Sequence, residues 1–397
     1  MKNGICLMLV FLTSFVGVSA QLKVDSLIEA QKYLSAYTLL ERADQDNERP
    51  DVVLKKIDLA LNYYLDSEYH RSFSFIDLRS GEVLQELREA NMHGATPYLF
   101  NVDSILLDLI VVHPTDYRLH LSLANYYNKV YYDFGDRWGE RSEILLDKSY
   151  SYYLKAYENG IYDYYSLYAL GYYQTLSQNY FEAQRWFLKS LEVKPKEALT
   201  NYNLAVTYLF DGLPNKGISY SIKAYEMYAD SLKKGDAARI TGILYSKIGD
   251  NTQALNYFYR ANELSPNYRP NQMYLLKSYL QLDKDSLAVQ LAYEVLITTL
   301  HGPEIAEEYI EMFGQFNKEE LLYQVFDRTL LTHSSDAEAC GNICFHYGKV
   351  LYKKGRKHDS KQMIKRSKKY FLKVFDKNHQ VFEAIDQMLN ISAKKPY

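Results

Sequence analysis

The sequence predicts an all-α protein built from repeated pairs of helices. Small residues return at a regular interval through the middle of the chain: 34, 37 and 34 residues separate Ala183, Gly217, Ala254 and Ala288. Pro195 and Pro266 follow two of the expected second helices, where proline ends a helix because it cannot continue the hydrogen-bond ladder. No stretch alternates apolar and polar residues over several segments, so no sheet is expected.

The first twenty residues have the character of a signal peptide. Lys2 supplies a positive start, residues 5–16 are almost wholly apolar, and small residues lead to Ala20. We expect cleavage after Ala20 and export to the periplasm or the exterior; an uncleaved anchor is the alternative. Cys6 lies inside the apolar run, which argues against a lipid anchor. No later segment has eighteen consecutive apolar residues, so no transmembrane segment is expected.

Composition narrows the class of protein further. The net charge of the 397 residues is −3, which does not favour a nucleic-acid partner, and 40 of the residues are tyrosines. Cys340 and Cys344 stand four apart in a predicted helix, so they share one face. A disulfide or half of a metal site is one interpretation, and two small buried core residues is the one we favour.

A repeat signature covers the centre of the chain. At residues 167–195 the signature combines bulky and small residues in two predicted helices. They are Leu167, Leu170 and Gly171 in the first helix, and Ala183, Phe187, Ser190 and Pro195 in the second. Shifting by one repeat reaches Leu204, Ala205 and Tyr208, and later Ala254, Phe258 and Ala261. This pattern resembles the tetratricopeptide-repeat (TPR) family over residues 117–300. The resemblance implies a right-handed solenoid of antiparallel helix pairs that binds proteins and catalyses nothing.

The flanks fit the repeat less well and define the predicted domains. We expect degenerate TPR-like repeats at 21–116, the TPR array at 117–300, and C-terminal helical repeats with a cap at 301–397. Predicted helices in the flanks span 25–42, 102–112, 304–316, 318–332, 336–354, 365–375 and 381–389, and one degenerate unit follows Pro50 as far as Ile76. A loop insertion at about 130–142 carries Trp138, which either serves as a lid or partner contact or tucks back onto the helices.

No catalytic, metal-binding or cofactor motif is present. The sequence lacks HExxH, paired CxxC, a calcium loop, a phosphate loop and a GxSxG elbow. Paired acids such as Glu307-Glu308 are typical of solvated helix faces. We therefore expect no catalytic residues, no metal and no cofactor, while an enzyme or small-ligand binder with a pocket between repeats stays open.

The TPR resemblance implies a binding groove lined by first helices. The places that the family uses for ligands hold basic, amide and aromatic residues in this chain: Arg118, Asn125, Lys129, Tyr165, Tyr168, Tyr172, Tyr202, Asn203, Val206, Phe210, Arg239 and Lys277. Exposed aromatic residues beside arginine favour binding, although tyrosines also serve widely for packing. Some members of the TPR family bind acidic C-terminal tails with a two-carboxylate clamp of lysine, asparagine and arginine side chains from three consecutive repeats. Asn203 occupies the middle position of this clamp. The flanking positions hold Tyr168, Tyr172, Asp236 and Ile240 instead, so the clamp is absent.

These features predict an interaction scaffold of the bacterial envelope that binds a protein or peptide of unknown identity. Residues 349–377 contain twelve Lys or Arg against two Asp and no Glu. The alternative function is therefore a structural or assembly element whose basic C-terminal region docks on an acidic partner, an anionic envelope surface or another copy. A solvated helix face is the simpler interpretation of the same charges.

Overall fold

The computed structural model describes residues 23–90 and 96–393, in two compact units that divide between Pro195 and Lys196. The predicted signal peptide, residues 1–20, lies outside the described residues. Both units consist mainly of α-helices joined by short turns, so the prediction of an all-α repeat fold is confirmed.

Among its described residues, the first unit has a helix at residues 23–29, then eight α-helices and three short strands. Their bounds are α1 Tyr33–Ala43, α2 Pro50–Asn62, β1 Asp66–Glu68, β2 Ser72–Ser74, α3 Leu84–Glu89, β3 Tyr98–Leu99, α4 Val102–Val112, α5 Tyr117–Phe134, α6 Ser142–Glu158, α7 Tyr164–Leu176 and α8 Tyr180–Val193.

A small antiparallel sheet, in the order β1-β2-β3, replaces the second helix that we predicted after Pro50. We predicted that the chain has no sheet and that a complete degenerate helix pair follows Pro50; both predictions were wrong. Strands of two or three residues are too short to show an alternating pattern, so the periodicity test could not detect them. Phe73 and Phe75 are fully buried beneath the sheet, and the turn at Tyr69 and His70 uses positive φ values of 49° and 47°.

The predicted insertion is shorter than expected. Helix α5 continues to Phe134, a 3-10 turn spans Gly135–Arg137, and α6 begins at Ser142. Trp138 is only 8% exposed; its ring centroid lies 5.3 Å from that of Phe134, and the Arg71 guanidinium lies 4.9 Å above it. Trp138 therefore tucks back onto the helices.

Close approach between paired helices depends on the signature glycines. A Cβ on Gly171 would lie 2.8 Å from the ring of Phe187 in the partner helix, and a Cβ on Gly242 would lie 2.6 Å from the ring of Phe258. Real Cβ atoms do not approach a ring so closely. In each pair, the small residue and the phenylalanine that faces it therefore form one close-packed contact.

The second unit contains eleven α-helices among the described residues. Their bounds are α9 Ala198–Phe210, α10 Pro214–Met227, α11 Ser231–Lys247, α12 Asn251–Leu264, α13 Arg269–Gln281, α14 Asp285–Leu296, α15 Glu304–Gln315, α16 Glu319–Thr332, α17 Ala337–Lys353, α18 Lys357–Phe371 and α19 Val381–Ala393. The helix predicted at 365–375 begins eight residues earlier and ends four earlier, since Ser360 and Ile364 continue its buried row toward the N-terminus. Cys340 and Cys344 are free and buried in this core, as favoured.

Candidate functional site

Helix α5 brings three predicted contact residues to one side. Arg118, Asn125 and Lys129 are seven and four residues apart, which is close to two turns and one turn of an α-helix. Asp116 caps this helix, because its carboxylate accepts a hydrogen bond of 3.3 Å from the backbone N–H of Arg118.

A cavity of about 580 Å³ opens beside these residues, between α2, α5 and the first turn of α7. Its walls combine aliphatic side chains of α2 with polar and aromatic side chains of α5 and α7. The lining residues are Leu54, Ile57, Asp58, Leu61, Asn62, Arg118, Leu121, Ser122, Asn125, Lys129, Tyr132, Asp133 and Tyr165. Four predicted contact residues, Arg118, Asn125, Lys129 and Tyr165, therefore meet at one cavity, whose volume is that of a ligand site.

The basic end of the predicted groove is largely neutralised by nearby acids. Arg118 donates to both carboxylate oxygens of Asp116, at 2.8 and 2.6 Å, and to Asp51 at 2.9 Å. These hydrogen bonds raise the pKa of Arg118, and the hydrogen bond from Arg118 lowers the pKa of Asp116 despite partial burial. A ligand at this end meets a network of charges rather than a lone cation.

A hydrogen-bonded series of polar side chains lies behind the cavity, and it was not predicted from the sequence. The Asp133 carboxylate is 3.0 Å from the Lys129 ammonium and 2.7 Å from Nε2 of His70, and Nδ1 of His70 lies 3.0 Å from the Ser67 hydroxyl. Burial raises the pKa of Asp133, but the hydrogen bonds of His70 and Lys129 outweigh it and hold this pKa below its usual range. Residues so distant in sequence meet only because the β1–β2 turn packs on α5.

Four tyrosines lie in a row between α5 and α7, and two of them, Tyr132 and Tyr165, line the cavity as its aromatic wall. Ring centroids are 6.2 Å apart between Tyr132 and Tyr172, and 6.1 Å apart for both Tyr172–Tyr168 and Tyr168–Tyr165. Tyr132 is 50% exposed and was not among the predicted contacts. Burial and then the neighbouring tyrosines raise its pKa above the usual tyrosine value.

Tyr168 is corrected from a contact residue to a packing residue. Only 7% of it is exposed, and its ring lies 5.7 Å from that of Phe187, the residue that faces Gly171. Because Gly171 has no Cβ, the two helices can approach closely, and Tyr168 is buried between them.

Two amides of α5 organise the tyrosine hydroxyls. Asn128 donates to the hydroxyl of Tyr165 at 2.9 Å, and the hydroxyl of Tyr153 donates to Oδ1 of Asn125 at 2.7 Å. The second bond uses the acceptor oxygen of Asn125, so its NH2 group is what this side chain offers to a ligand.

The remaining predicted residues belong to the second unit. Tyr202 and Val206 are half-buried against Ala205, and Asn203 donates to the Leu199 carbonyl of its own helix at 3.0 Å. Arg239 is paired with Asp236 at 2.8 Å and lies over the Tyr268 ring. Of these positions, Phe210 is the most solvent-accessible aromatic, at 63%.

Lys277 borders a separate cavity of about 500 Å³ within the second unit. Its walls are mainly apolar and come from α13 and α15: Arg269, Pro270, Met273, Tyr274, Lys277, Glu308 and Met312. An ion pair between Arg269 and Glu308 crosses this cavity.

Within residues 23–90 and 96–393, no group of three or more His, Cys, Asp or Glu side chains is arranged to hold a metal ion. In the same part of the chain, none of the helices combines the length and apolar character that crossing a bilayer requires.

The helix pairs carry the signature residues in the order that the repeat pattern predicted. Antiparallel pairs such as α7–α8 and α11–α12 carry the small residue on the first helix and the phenylalanine on the second, at the places where TPR units carry them. The chain therefore folds as an array of antiparallel helix pairs, the architecture that the TPR resemblance implied.

Solved structures with a similar fold are TPR proteins. The match with a tetratricopeptide repeat protein from Parabacteroides merdae ATCC 43184 covers 68% of this chain and 99% of that protein's chain, with 14% identity and a TM-score of 0.42. YrrB, described as a TPR protein with an unusual peptide-binding site, covers 49% and 92%, with 18% identity and a TM-score of 0.41. PilF of Pseudomonas aeruginosa covers 55% and 96%, with 13% identity and a TM-score of 0.40. At these values the likeness supports nothing beyond what the helices themselves show.

No family model matches the sequence, and the comparison with curated proteins found no match.

Proposed function

We propose that this chain is a non-catalytic protein–protein interaction scaffold that binds a peptide segment of its partner in the cavity between α2, α5 and α7. The observation that carries the proposal is the meeting of Arg118, Asn125, Lys129 and Tyr165 around one open cavity of about 580 Å³. An aliphatic wall, an aromatic wall and an amide NH2 group suit a peptide, which presents apolar side chains and backbone carbonyls together.

The aromatic wall supplies most of the expected affinity. Tyr132 is half exposed, and Tyr165 is positioned by Asn128, so both rings can bury area at little cost in rotamer freedom. The paired charges of Arg118 and Lys129 supply orientation rather than affinity, because each already has an acidic partner.

The test uses peptides selected from a displayed random library against the full chain. Their affinities are then measured by fluorescence anisotropy for Tyr132→Ala and for Tyr259→Ala, a matched control that is 48% exposed in the second unit against 50% for Tyr132. We expect Tyr132→Ala to weaken binding about 10-fold or more and the control to change it less than about 2-fold. Peptides that bind both variants as tightly as the parent chain would place the site elsewhere.

We propose further that the scaffold works in the bacterial envelope, since residues 5–20 have the pattern of a cleaved leader. Expression of the full chain in bacteria followed by mass measurement tests this. A product that begins at Gln21 in the periplasmic fraction is the expected result, and an intact Met1 product in the cytoplasm is the contrary one.

A further inference from the structure

Helix α18 carries a row of lysines along one face. Lysines at every fourth position share a face because four residues make slightly more than one helical turn. The row, called here the lysine stripe, is Lys357, Lys361, Lys365 and Lys369. The buried positions of the same helix, Ser360, Ile364, Ser367 and Phe371, pack toward the core. Lys365 and Lys369 are exposed on the side away from the core, and Lys357 and Lys361 are half-buried at the border of the packed side.

None of the four stripe lysines forms an ion pair with an acid among the described residues, in contrast to several neighbouring cations. Neighbouring cations form ion pairs: Lys349 with Glu307 at 2.6 Å, Lys354 with Glu319 at 2.7 Å, Arg356 with Asp359 at 2.8 Å and Lys368 with Asp386 at 2.5 Å. Like charges four residues apart destabilise a helix by roughly 0.2–0.5 kcal/mol per pair. The stripe thus concentrates positive charge that the described residues leave uncompensated.

Two aliphatic side chains are exposed where the stripe ends. Leu372 and Val374 are 44% and 45% exposed, and Lys373 stands between them. Neither belongs to the apolar cluster that holds α18 to α19. Exposed aliphatic residues among lysines are poorly suited to bulk water, but a membrane interface accepts both kinds of group.

We propose that the lysine stripe, with Leu372 and Val374, docks on the surface of a bilayer that contains anionic lipids. The lysines lie at the depth of the phosphate groups, and the two aliphatic side chains enter the boundary between headgroups and acyl chains. A soluble polyanion would neutralise the lysines yet leave both aliphatic side chains in water, which is why the combination selects a bilayer. This surface belongs to the second unit and the cavity belongs to the first; the surface serves attachment rather than peptide binding.

Sedimentation with vesicles tests the electrostatic half of the proposal. The full chain is mixed with vesicles of phosphatidylcholine alone or with added phosphatidylglycerol, at low and high salt. We expect binding to the anionic vesicles only, weakened by salt. Each lysine near such a surface contributes about fivefold, so changing all four stripe lysines to Gln lowers the partition coefficient by roughly 500-fold or more.

The matched control removes the same charge from elsewhere in the second unit. Four exposed lysines on other helices and turns are changed to Gln: Lys216, Lys233, Lys247 and Lys284. We expect this control to lower the partition coefficient less than about tenfold, because these lysines are scattered. Equal losses in the two variants would mean that net charge alone acts, and vesicle binding that survives in the stripe variant would overturn the proposal.

A second variant separates a bilayer from a soluble polyanion. Leu372→Ser with Val374→Ser removes the aliphatic contribution and leaves every lysine in place. We expect about tenfold weaker binding to anionic vesicles and unchanged binding to polyglutamate. Equal vesicle binding by this variant and the parent chain, with tight binding of polyglutamate by both, would assign the stripe to an acidic protein partner and contradict the bilayer proposal. Circular dichroism checks that each variant keeps its helices.

Discussion

Replacing Gly242 by alanine tests whether the signature glycines are required for helix packing. A Cβ at this position would lie 2.6 and 2.7 Å from two ring carbons of Phe258, and Phe258 is only 2% exposed, so its ring has little room to move. Overpacking of a core costs about 1–3 kcal/mol. Alanine in place of glycine inside a helix returns about 1 kcal/mol.

Gly235 provides the control, because it lies in the same helix α11 and the change to alanine is the same. A Cβ there would meet the Ser265 hydroxyl at 3.3 Å and Cβ of Leu264 at 3.5 Å, which a small rotation relieves. The helix-propensity gain is common to both variants and cancels. Gly242→Ala should therefore be less stable than Gly235→Ala by about 1–3 kcal/mol.

Native-state hydrogen exchange of the amides in α11 and α12 is the suitable assay, since a repeat array need not unfold in one step. The reasoning is refuted if the two variants protect these amides equally. A double variant sharpens the test: with Phe258→Leu the ring is gone, and Gly242→Ala should no longer destabilise the pair.

Two further perturbations address a titratable group and an aromatic cluster. Burial, and then the charge of Lys349, lower the pKa of His346 to about 4. Because the histidine of the unfolded chain binds its proton near pH 6.5, the free energy of unfolding should fall by about 3 kcal/mol between pH 6.5 and 4. Urea titrations of His346→Leu should lack this fall. Trp138→Ala should destabilise the first unit by about 3–5 kcal/mol in urea melts, whereas Trp138→Phe, which keeps a ring against Phe134 and Arg71, should lose less; equal losses would contradict the packing described.

The repeat pattern predicted the helix pairs well because their packing is local and periodic. Gly171 and Phe187 meet across one turn between consecutive helices, so the residues that touch are also close in sequence. The same holds for Gly348 and Ile364 in α17 and α18, outside the stretch where we assigned the repeat, where a Cβ on the glycine would lie 2.5 Å from the isoleucine side chain.

The first unit departs from prediction where non-local contacts decide the structure. Ser67, His70 and Asp133 come together only because a hairpin stands where the repeat pattern predicted a helix. Lys56 is fully buried, and its ammonium group is held by the Asp44 carbonyl at 2.5 Å and by Asn47 at 2.8 Å. A lysine on a helix normally indicates a solvated position, so only the folded loop reveals this one.

The cavity between α2, α5 and α7 was not predicted, although some of its residues were. Arg118, Asn125 and Lys129 were expected contacts because the TPR resemblance places them in a groove, and helical spacing puts them on one side of α5. Tyr132 was missed, since it lies within the segment interpreted as an insertion, and helix α5 in fact continues through it. Asp51 and Asp116 were not foreseen as partners of Arg118, so the predicted positive charge was too large.

The abundance of tyrosine connects the packing to the proposed binding. A buried tyrosine fills a core like phenylalanine, but its hydroxyl must find a partner, which fixes the register of the helix that carries it. The fully buried Tyr309 donates to the Ala292 carbonyl at 3.0 Å, and Tyr153 donates to Asn125 at 2.7 Å. At the cavity, the bond from Tyr153 holds Asn125 in place and the bond from Asn128 holds Tyr165 in place before any ligand arrives. A peptide would therefore meet a site whose side chains are already ordered, and this lowers the entropic cost of binding.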